Sequence, residues 1–465
     1  MSDAAGIPQG RRVAVIGSGV AGLTAAYVLN RQDTVTLFEA DPRLGGHAHT
    51  HDVPQAGGPV LGIDTGFIVH NERTYPTLLR LFAELGVETQ DSEMSMSVRC
   101  DGCGLEYAGA RARGRGILPR PSTLLRGRYL LMLLEVMRFY RRARALLAET
   151  PPSNEPELTL GEFLAREKFS GYFISHFMTP IVSAVWSCDP TTALAYPARY
   201  LFTFLGHHGL LGVSGSPQWR TVTGGSRSYV DKIAATLPEI RTASPVTGVR
   251  RHAEGVELTV VTGTGTLTTE TFDAVVIATH PAQALGMLTD ASPAEQAALG
   301  GMPYSVNHTV FHRDDAVLPS SDNAKASWNY RLPSCDARPD KVLVSYDMTR
   351  LQRLDPADGG RYIVSLGESE LIADHAVLER MVYEHPQYTP ESLRAQQRIL
   401  ELGDDRLAFA GAYHGWGFHE DGALSGVKAA ERLGRSWDDP AVALNEEYRA
   451  VAVDPDLQSV SAEGS

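Results

Sequence analysis

Apolar residues run through Val13–Ile16, give way to a glycine-rich turn, return through VAGLTAAYVL, and run again through VTLF up to Glu39. The pattern predicts a strand, a Gly17-x-Gly19-x-x-Gly22 turn, a helix, and a second strand closed by an acid. Each part suits a dinucleotide. Gly17 permits the tight turn, Gly19 lets the backbone approach a pyrophosphate, and Gly22 lets helix and strand pack closely. A helix N-terminus offers free N–H groups and a partial positive charge to phosphates. Glu39 follows the glycines by about twenty residues, where a carboxylate accepts from ribose hydroxyls.

Beyond this unit, GIDTGFIVHNERTYPTLLRLFAELGV predicts a strand, a turn and a helix ending near Gly86. Residues 91–220 change character, with short strands, the helix YLLMLLEVMRFYRRARALL, and aromatic or proline-rich stretches such as PIVSAVWSCDP and YLFTFLGHHG. TVTGGSRSYVDKIAATL returns to loop and helix. PVTGVRRHAEGVELTVV, TLTTETFDAVVIATHP, VNHTVFHR, KVLVSYDM and YIVSLG read as strands. LAFAGAYHGWGFHEDGALSGVKAAERL reads as a strand, a glycine- and aromatic-rich loop, and a helix. No internal repeat is present. The expected fold class is α/β. A discontinuous Rossmann-like domain is expected from residues 10–90, 221–299 and 400–440, and an inserted α+β substrate domain from 91–220 and 300–399. Residues 1–10 read as a loose leader and 453–465 as a polar tail.

Length and composition narrow the class. A chain of 465 residues suits two domains, and 43% apolar with 21% charged residues is ordinary for a soluble globular protein. A formal charge of -13 argues against general nucleic-acid binding. Cys100, Cys103, Cys188 and Cys335 are too few for a disulfide framework. Neither a secretory apolar region nor an apolar run of about 18 residues occurs, so a cytoplasmic location is expected. The charge is uneven. Arg111 to Arg144 holds ten arginines and one acid, Glu135, a local sum near +9. This stretch reads either as a surface helix whose arginines pair with acids elsewhere, or as a basic amphipathic face. The second would touch anionic lipid, giving peripheral contact at the inner membrane, and admit an acyl substrate.

The chain resembles the flavin amine oxidase and phytoene desaturase superfamily. It is most similar to a bacterial branch of FAD-dependent oxidoreductases associated with fatty-acyl modification. The residues carrying the likeness are Gly17, Gly19 and Gly22 with Glu39; Arg43-Leu44-Gly45-Gly46; Asp64-Thr65-Gly66; Gly224-Gly225; Pro245-Val246; Ala278-Thr279; and FAGAYHGWGFHEDGALSG. The likeness extends from about residue 12 to residue 435. It implies non-covalent FAD held by Gly17, Gly19, Val20, Ala21, Gly22, Glu39, Ala40, Arg43, Gly45, Gly46, His47, Thr65, Gly66, Phe67, Val246, Ala278, Gly411, Glu420, Asp421 and Ala423. Val246 corresponds to the residue whose backbone pairs with adenine. The helix begun by Glu420-Asp421-Gly422-Ala423 would aim its N-terminus at the pyrimidine end of the flavin. The sequence departs from the amine oxidases in two places. His47 replaces the second arginine of R-x-G-G-R, and His419 stands where one ring of an amine-binding aromatic pair is expected, with Trp416 and Phe418 close by.

Hydride transfer to flavin requires no single protein base. Where a proton must also leave, imidazole lies closest to neutrality, and His419 and His414 are the candidates on the closing loop. His47, His49 and His51 alternate, as residues on one face of a strand would, and read as loop or flavin-edge contacts. Cys100-x-x-Cys103 has the spacing of half a zinc knuckle or of a redox pair. With no second CxxC and flanks suited to a hairpin, it is read as structural, and no metal is assigned. Hydrolase motifs are absent, and only one dinucleotide fingerprint is present. The resemblance implies an oxidoreductase that desaturates or isomerises an acyl or isoprenoid-like substrate. The alternatives are a flavin amine oxidase and an FAD-containing, non-catalytic partner of a lipid-modifying enzyme. The oligomeric state is left open.

Overall fold

Arg12–Ile16 is the central strand of a five-stranded parallel sheet. The order is Glu239–Arg241, Thr34–Phe38, Arg12–Ile16, Ala274–Ile277, Leu407–Phe409. These runs are nearly continuous in apolar residues because both faces of a parallel sheet are covered. In register, Ile16 lies opposite Phe38 and Ile277, and Ile277 opposite Phe409. The loops carrying Gly17, Glu39, Ala278 and Gly411 therefore leave the same carboxyl edge, the edge where open α/β sheets bind ligands. This is a computed structural model, and it describes residues 10–109, 115–150, 157–212, 215–263 and 265–438. The expected tail, all of the leader but Gly10, and residues 111–114 of the arginine-rich stretch lie outside the described residues.

Helix Val20–Leu29 lies between this sheet and helix His419–Arg432, which explains why it is apolar on every side. Two glycines on the closing helix make the contact possible. A Cβ on Gly422 would stand 2.6 Å from Val20 Cγ1, and one on Gly426 would stand 2.3 Å from the Ala21 carbonyl oxygen. The opening and closing segments of the chain are thus in direct contact.

A second, seven-stranded sheet draws on both intervening stretches. Met96–Cys100 and Leu105–Ala108 form a hairpin whose first strand pairs in parallel with Trp328–Leu332. Val344–Asp347, Ile363–Leu366, Tyr304–His312 and Val377–Pro386 continue it. A helical layer accompanies this sheet. In Gly127–Ala148 the buried residues are Tyr129, Met132, Val136, Phe139, Ala143 and Leu146, spaced as one face of a helix. Phe139 meets Phe163, Phe169, Phe173 and Phe202. The opposite face exposes Leu131, Leu134 and Met137. Among the described residues no helix is long and apolar enough to cross a membrane.

Some readings of the sequence change. TLTTETFDAVVIATHP is two strands in different sheets: Leu267–Phe272 closes an antiparallel sheet with Gly255–Val261 and Val246–His252, while Ala274–Ile277 enters the parallel one. The switch is pinned at Asp273, whose carboxylate accepts from Arg12 N at 2.7 Å. Of the three alternating histidines, His49 and His51 lie on one side, their rings 4.1 Å apart, while His47 sits in the turn before them; only His51 falls within strand Thr50–Val53. Glu239–Arg241, which the sequence pattern does not reveal, is the edge strand of the parallel sheet.

Candidate functional site

The glycine loop is built as its spacing requires. Gly17 has φ +98, a Cβ there would meet the Ala278 carbonyl oxygen at 2.7 Å, and its N–H donates to Phe38 O at 2.8 Å. A Cβ on Gly22 would lie 1.9 Å from Gly17 O. Gly19 differs: among the described residues nothing stands within 4 Å of a Cβ placed on it. It precedes Val20 and Ala21 at the N-terminus of Val20–Leu29, where no side chain caps the free N–H groups. Gly46, at φ +56, lies beside this loop, where a Cβ on it would stand 3.1 Å from Gly19 Cα, and Gly45 N donates to Ser18 O at 3.1 Å. A cradle of backbone donors faces open space here, which fits a pyrophosphate.

Glu39 is held in position by Ser18, which sequence reasoning missed. Its Oε2 accepts from Ser18 N at 2.8 Å and Ser18 Oγ at 2.5 Å, and its Oε1 accepts from Asp41 N at 2.9 Å. Oε2 is thereby fully engaged, and Oε1 retains a lone pair for a ribose hydroxyl. Ala40, next to it, is exposed. Ser244 N donates to Glu39 O at 2.9 Å, so the strand begun by Val246 starts beside the acid. Ala278 N donates to Ile16 O at 2.8 Å, placing Ala278 against the glycine loop.

The next element is anchored by a buried acid. Asp64 accepts from Thr50 Oγ1 at 2.6 Å, Ser226 Oγ at 2.7 Å and Ser226 N at 2.9 Å, and burial raises its pKa to about 6. It thereby ties strand Leu61–Asp64 to the Gly224-Gly225 turn, where both glycines have positive φ. Residues 65–67 then run beside 47–49: Phe67 N donates to His47 O at 2.7 Å and Thr65 N to His49 O at 2.9 Å. Thr65 Oγ1 meets Tyr383 OH at 2.7 Å. A Cβ on Gly66 would stand 2.2 Å from His47 O.

A cluster of rings assembles around His47. Its centroid lies 5.0 Å from Tyr383, 5.4 Å from His385 and 6.4 Å from His280. Among the described residues His47 Nε2 is buried without a hydrogen-bond partner. Burial, reinforced by His385 and His280, holds its pKa well below the ordinary imidazole value. The positive field of Arg43 also reaches His47 and His49. Among the described residues the Arg43 guanidinium hydrogen-bonds only Leu44 O, at 3.3 Å. A lone guanidinium, a neutral imidazole with a free nitrogen and an open glycine cradle lie along one path. FAD fits these residues.

The closing segment is more fully committed to the fold. Gly411 N donates to Ser425 Oγ at 2.8 Å. Glu420 accepts from Thr77 N and Leu78 N, both at 2.9 Å, and so caps helix Pro76–Glu84. Asp421 accepts from Phe418 N at 2.9 Å, and burial lifts its pKa to about 7. Ala423 is fully buried. What the turn offers a flavin is therefore backbone rather than these carboxylates. His419 stacks on Phe67 at 3.7 Å and 11°, and its Nε2 meets Tyr229 OH at 3.1 Å. Burial lowers its pKa to about 3. His414 is pushed down to about 4 by burial and by Lys428 and Arg432, cations on the far half of the closing helix.

The two rings of the closing loop point elsewhere. Phe418 stacks on Phe204 at 4.8 Å, and Trp416 lies 5.9 Å from Tyr200 and 6.2 Å from Phe204. Trp186 Nε1 donates to Trp416 O at 3.1 Å, and Tyr200 OH to Gly415 O at 2.8 Å. His280, His385 and Tyr383 were not singled out from sequence, and of these only His280 carried a signal, as the residue following Ala278-Thr279; Trp186 and Phe204 lie in the aromatic stretches PIVSAVWSCDP and YLFTFLGHHG.

Comparison with known proteins agrees with this fold. AofH of Mycobacterium tuberculosis, named as a flavin-containing monoamine oxidase, is 29% identical over 262 residues, 53% of each chain. The match thus spans about half the length of that curated relative. Cyclohexylamine oxidase from Brevibacterium oxydans shares the fold with a TM-score of 0.66 at 19% identity, covering 92% of this chain and 100% of that one. A fatty acid isomerase from P. acnes that produces CLA shares it with a TM-score of 0.61 at 16% identity, covering 92% and 99%. The model of the flavin containing amine oxidoreductase family matches residues 20–434, and the chain belongs to that family.

Proposed function

We propose that the protein is an FAD-dependent oxidoreductase acting on an apolar, acyl-like substrate, by desaturation or isomerisation. Bound FAD would supply the two-electron acceptor for hydride from a substrate C–H bond. Residues 10–90, 221–299 and 400–440 form the cofactor domain in this reading, and 91–220 with 300–399 the substrate domain. Gly19, Gly46 and Arg43 would hold the pyrophosphate and Glu39 the ribose, and His47, kept neutral by burial, would face the cofactor with a free nitrogen. Trp416 and Phe418 would join Tyr200 and Phe204 in the apolar layer of the substrate domain. Desaturation also requires a proton to leave the adjacent carbon. His419 is a poor acceptor, being stacked, hydrogen-bonded and of low pKa.

One observation carries the choice of substrate class. Leu131 and Leu134, 62% and 68% exposed, line an open groove of about 590 Å³ together with Arg128, Arg138 and one acid, Glu135, whose carboxylate accepts from Ser170. Solvent-facing leucines between guanidinium groups suit an acyl chain with an anionic head, or the surface of an anionic membrane. The aromatic layer beneath runs from Phe139 through Phe202, and on the same helix Phe204 reaches Phe418. A second reading, oxidation of an apolar amine, is favoured by the likeness to AofH. Anaerobic titration of the yellow holoprotein decides between them. Bleaching of the flavin by acyl lipids but not by amines supports the first reading, and bleaching by amines alone supports the second. Isomerisation returns the hydride to the substrate and leaves no net bleaching, so the lipid products are analysed alongside, and a protein that neither class bleaches and that converts no lipid refutes both.

A further inference from the structure

Far along the sequence from the glycine loop, four metal-ligating side chains meet. Cys100, Cys103, His176 and Cys335 each direct one ligand atom into a common space, and all four atoms lie within 4.8 Å of one another. Cys100 Sγ and Cys335 Sγ are 3.9 Å apart, and Cys103 Sγ is 3.8 Å from His176 Nε2. In a tetrahedral zinc site, Zn–S of about 2.3 Å and Zn–N of about 2.0 Å place neighbouring sulfurs about 3.8 Å apart and sulfur–nitrogen pairs about 3.5 Å apart. The Cys100–Cys335 and Cys103–His176 separations come within about 0.3 Å of these values, and no pair exceeds 4.8 Å. We propose that it is a structural Cys₃His site for zinc, a function unrelated to the flavin.

The local structure supports a ligand cage over the alternatives. Cys100 and Cys103 flank the turn of the hairpin formed by Met96–Cys100 and Leu105–Ala108, with Gly104 at φ +65 just beyond. This is the shape of a zinc knuckle. A redox CxxC instead lowers its thiol pKa at a helix N-terminus, and no helix begins here. The sulfur separation of 3.9 Å is about twice a disulfide bond. Cys335 arrives because Cys100 pairs with Leu332 in the parallel register, so the chain beyond Leu332 turns over the knuckle. The approach is so close that a Cβ on Gly102 would stand 2.9 Å from Ser334 Cα.

His176 is presented as a ligand should be. It is fully buried, in the π-helical turn Ile174–Met178, a feature that recurs at functional sites. Its Nδ1 lies 3.2 Å from Tyr172 O and 2.8 Å from Ser175 Oγ. With hydrogen on Nδ1 donated to that carbonyl, the Nε2 lone pair faces the sulfurs, the outer-shell arrangement typical of metal-bound histidine. Tyr172 stacks on the ring at 3.9 Å. Binding one zinc ion displaces three thiol protons and leaves a site with three thiolates and one neutral imidazole. The metal would tie the hairpin, the strand Trp328–Leu332 and the helix start at one point. The same helical run ends at Trp186, which holds the Trp416 carbonyl of the closing loop.

Elemental analysis of the holoprotein, purified without chelators from zinc-replete cells, tests this. The expected result is about one zinc per chain, retained after the flavin is removed. Cys335→Ser and His176→Ala should each lower that content. Since either variant may fold poorly, the wild-type protein supplies a second readout: after zinc is stripped and replaced by cobalt, thiolate-to-cobalt charge-transfer absorption should appear. Alkylation should spare Cys100, Cys103 and Cys335 until a chelator is added. Wild-type protein without stoichiometric metal, with no cobalt-thiolate absorption, overturns the proposal. A disulfide joining Cys100 to Cys335 in freshly isolated protein overturns it equally.

Discussion

Gly426 faces the carbonyl of Ala21 so closely that one added carbon would stand 2.3 Å from that oxygen. Two helices about four hundred residues apart in sequence are thereby locked together, and with them the two loops that would grip opposite ends of the cofactor. Gly426→Val forces these helices apart. Overpacking of this kind costs about 2 kcal/mol or more. Thermal unfolding should show a large drop in Tm together with weakened FAD retention. A variant as stable and as yellow as the parent would mean that the helix contact does not organise the site.

Gly19 makes the opposite prediction. Its Cβ direction is empty, so Gly19→Val leaves the protein's own packing untouched while filling the space kept for phosphate. The variant apoprotein should match the wild-type apoprotein within about 0.5 kcal/mol. Its FAD affinity should fall at least about tenfold. The measurement is flavin titration beside denaturant unfolding of both apoproteins. Normal FAD binding would show that the phosphate loop has been assigned wrongly.

These two glycines illustrate what was legible in the chain. Gly17, Gly19 and Gly22 are visible because the backbone's demands there are local, and the acid at the end of the second strand follows from the same unit. The ring cluster around His47 was not legible. Tyr383 and His385 reach it from strand Val377–Pro386, over three hundred residues later, with nothing in their flanks to mark them. Cys100 and Cys103 announced a hairpin, but Cys335 and His176 join them only through strand register and a π turn, and neither can be read from spacing. Glu420 and Asp421 lie where the resemblance puts the end of the flavin, yet their side chains cap backbone N–H groups, a local role that the motif does not disclose.

Asp64 should leave a signature in the pH dependence of stability. Its folded pKa, about 6, is raised from 3.8 by burial, which outweighs the hydroxyl and amide donors around it. The fold therefore binds this proton more tightly than the unfolded chain does. The associated stability is complete below pH 3.8 and is lost as pH rises through 6. At full amplitude the shift corresponds to about 3 kcal/mol. Asp64→Asn cannot titrate, so the stability of wild type relative to the variant should grow as pH falls from 7.5 toward 5. Denaturant unfolding at several pH values measures it, and a constant difference refutes the assignment.

His419 tests whether the closing loop carries a base. Its ring is held between Phe67 and Tyr229, and a pKa of about 3 gives imidazole little basicity at neutral pH. Loss of a general base costs about a hundredfold or more in turnover. His419→Asn should cost less than about tenfold and leave the pH–rate profile of substrate-driven flavin reduction unchanged. A larger loss, with one limb of that profile abolished, would identify His419 as the base.

The exposed face of Gly127–Ala148 separates an ordinary surface helix from a docking surface. Arg142 is paired with Glu167, and Arg138 donates to the carbonyls of Glu167 and Lys168, so part of the basic charge serves the fold. Leu131, Leu134 and Met137 have no such role and remain in solvent. Sedimentation with vesicles containing anionic phospholipid should recover the wild-type protein, less so as salt is raised. Burying one leucine contributes about 1.5–3 kcal/mol, so Leu131→Glu with Leu134→Glu should weaken recovery at least about tenfold without lowering Tm. Because these side chains make no part of the core, a retained Tm with lost binding assigns the effect to the surface. Equal recovery of both proteins would show that this face meets no membrane, and the groove would then have to be explained by a soluble ligand alone.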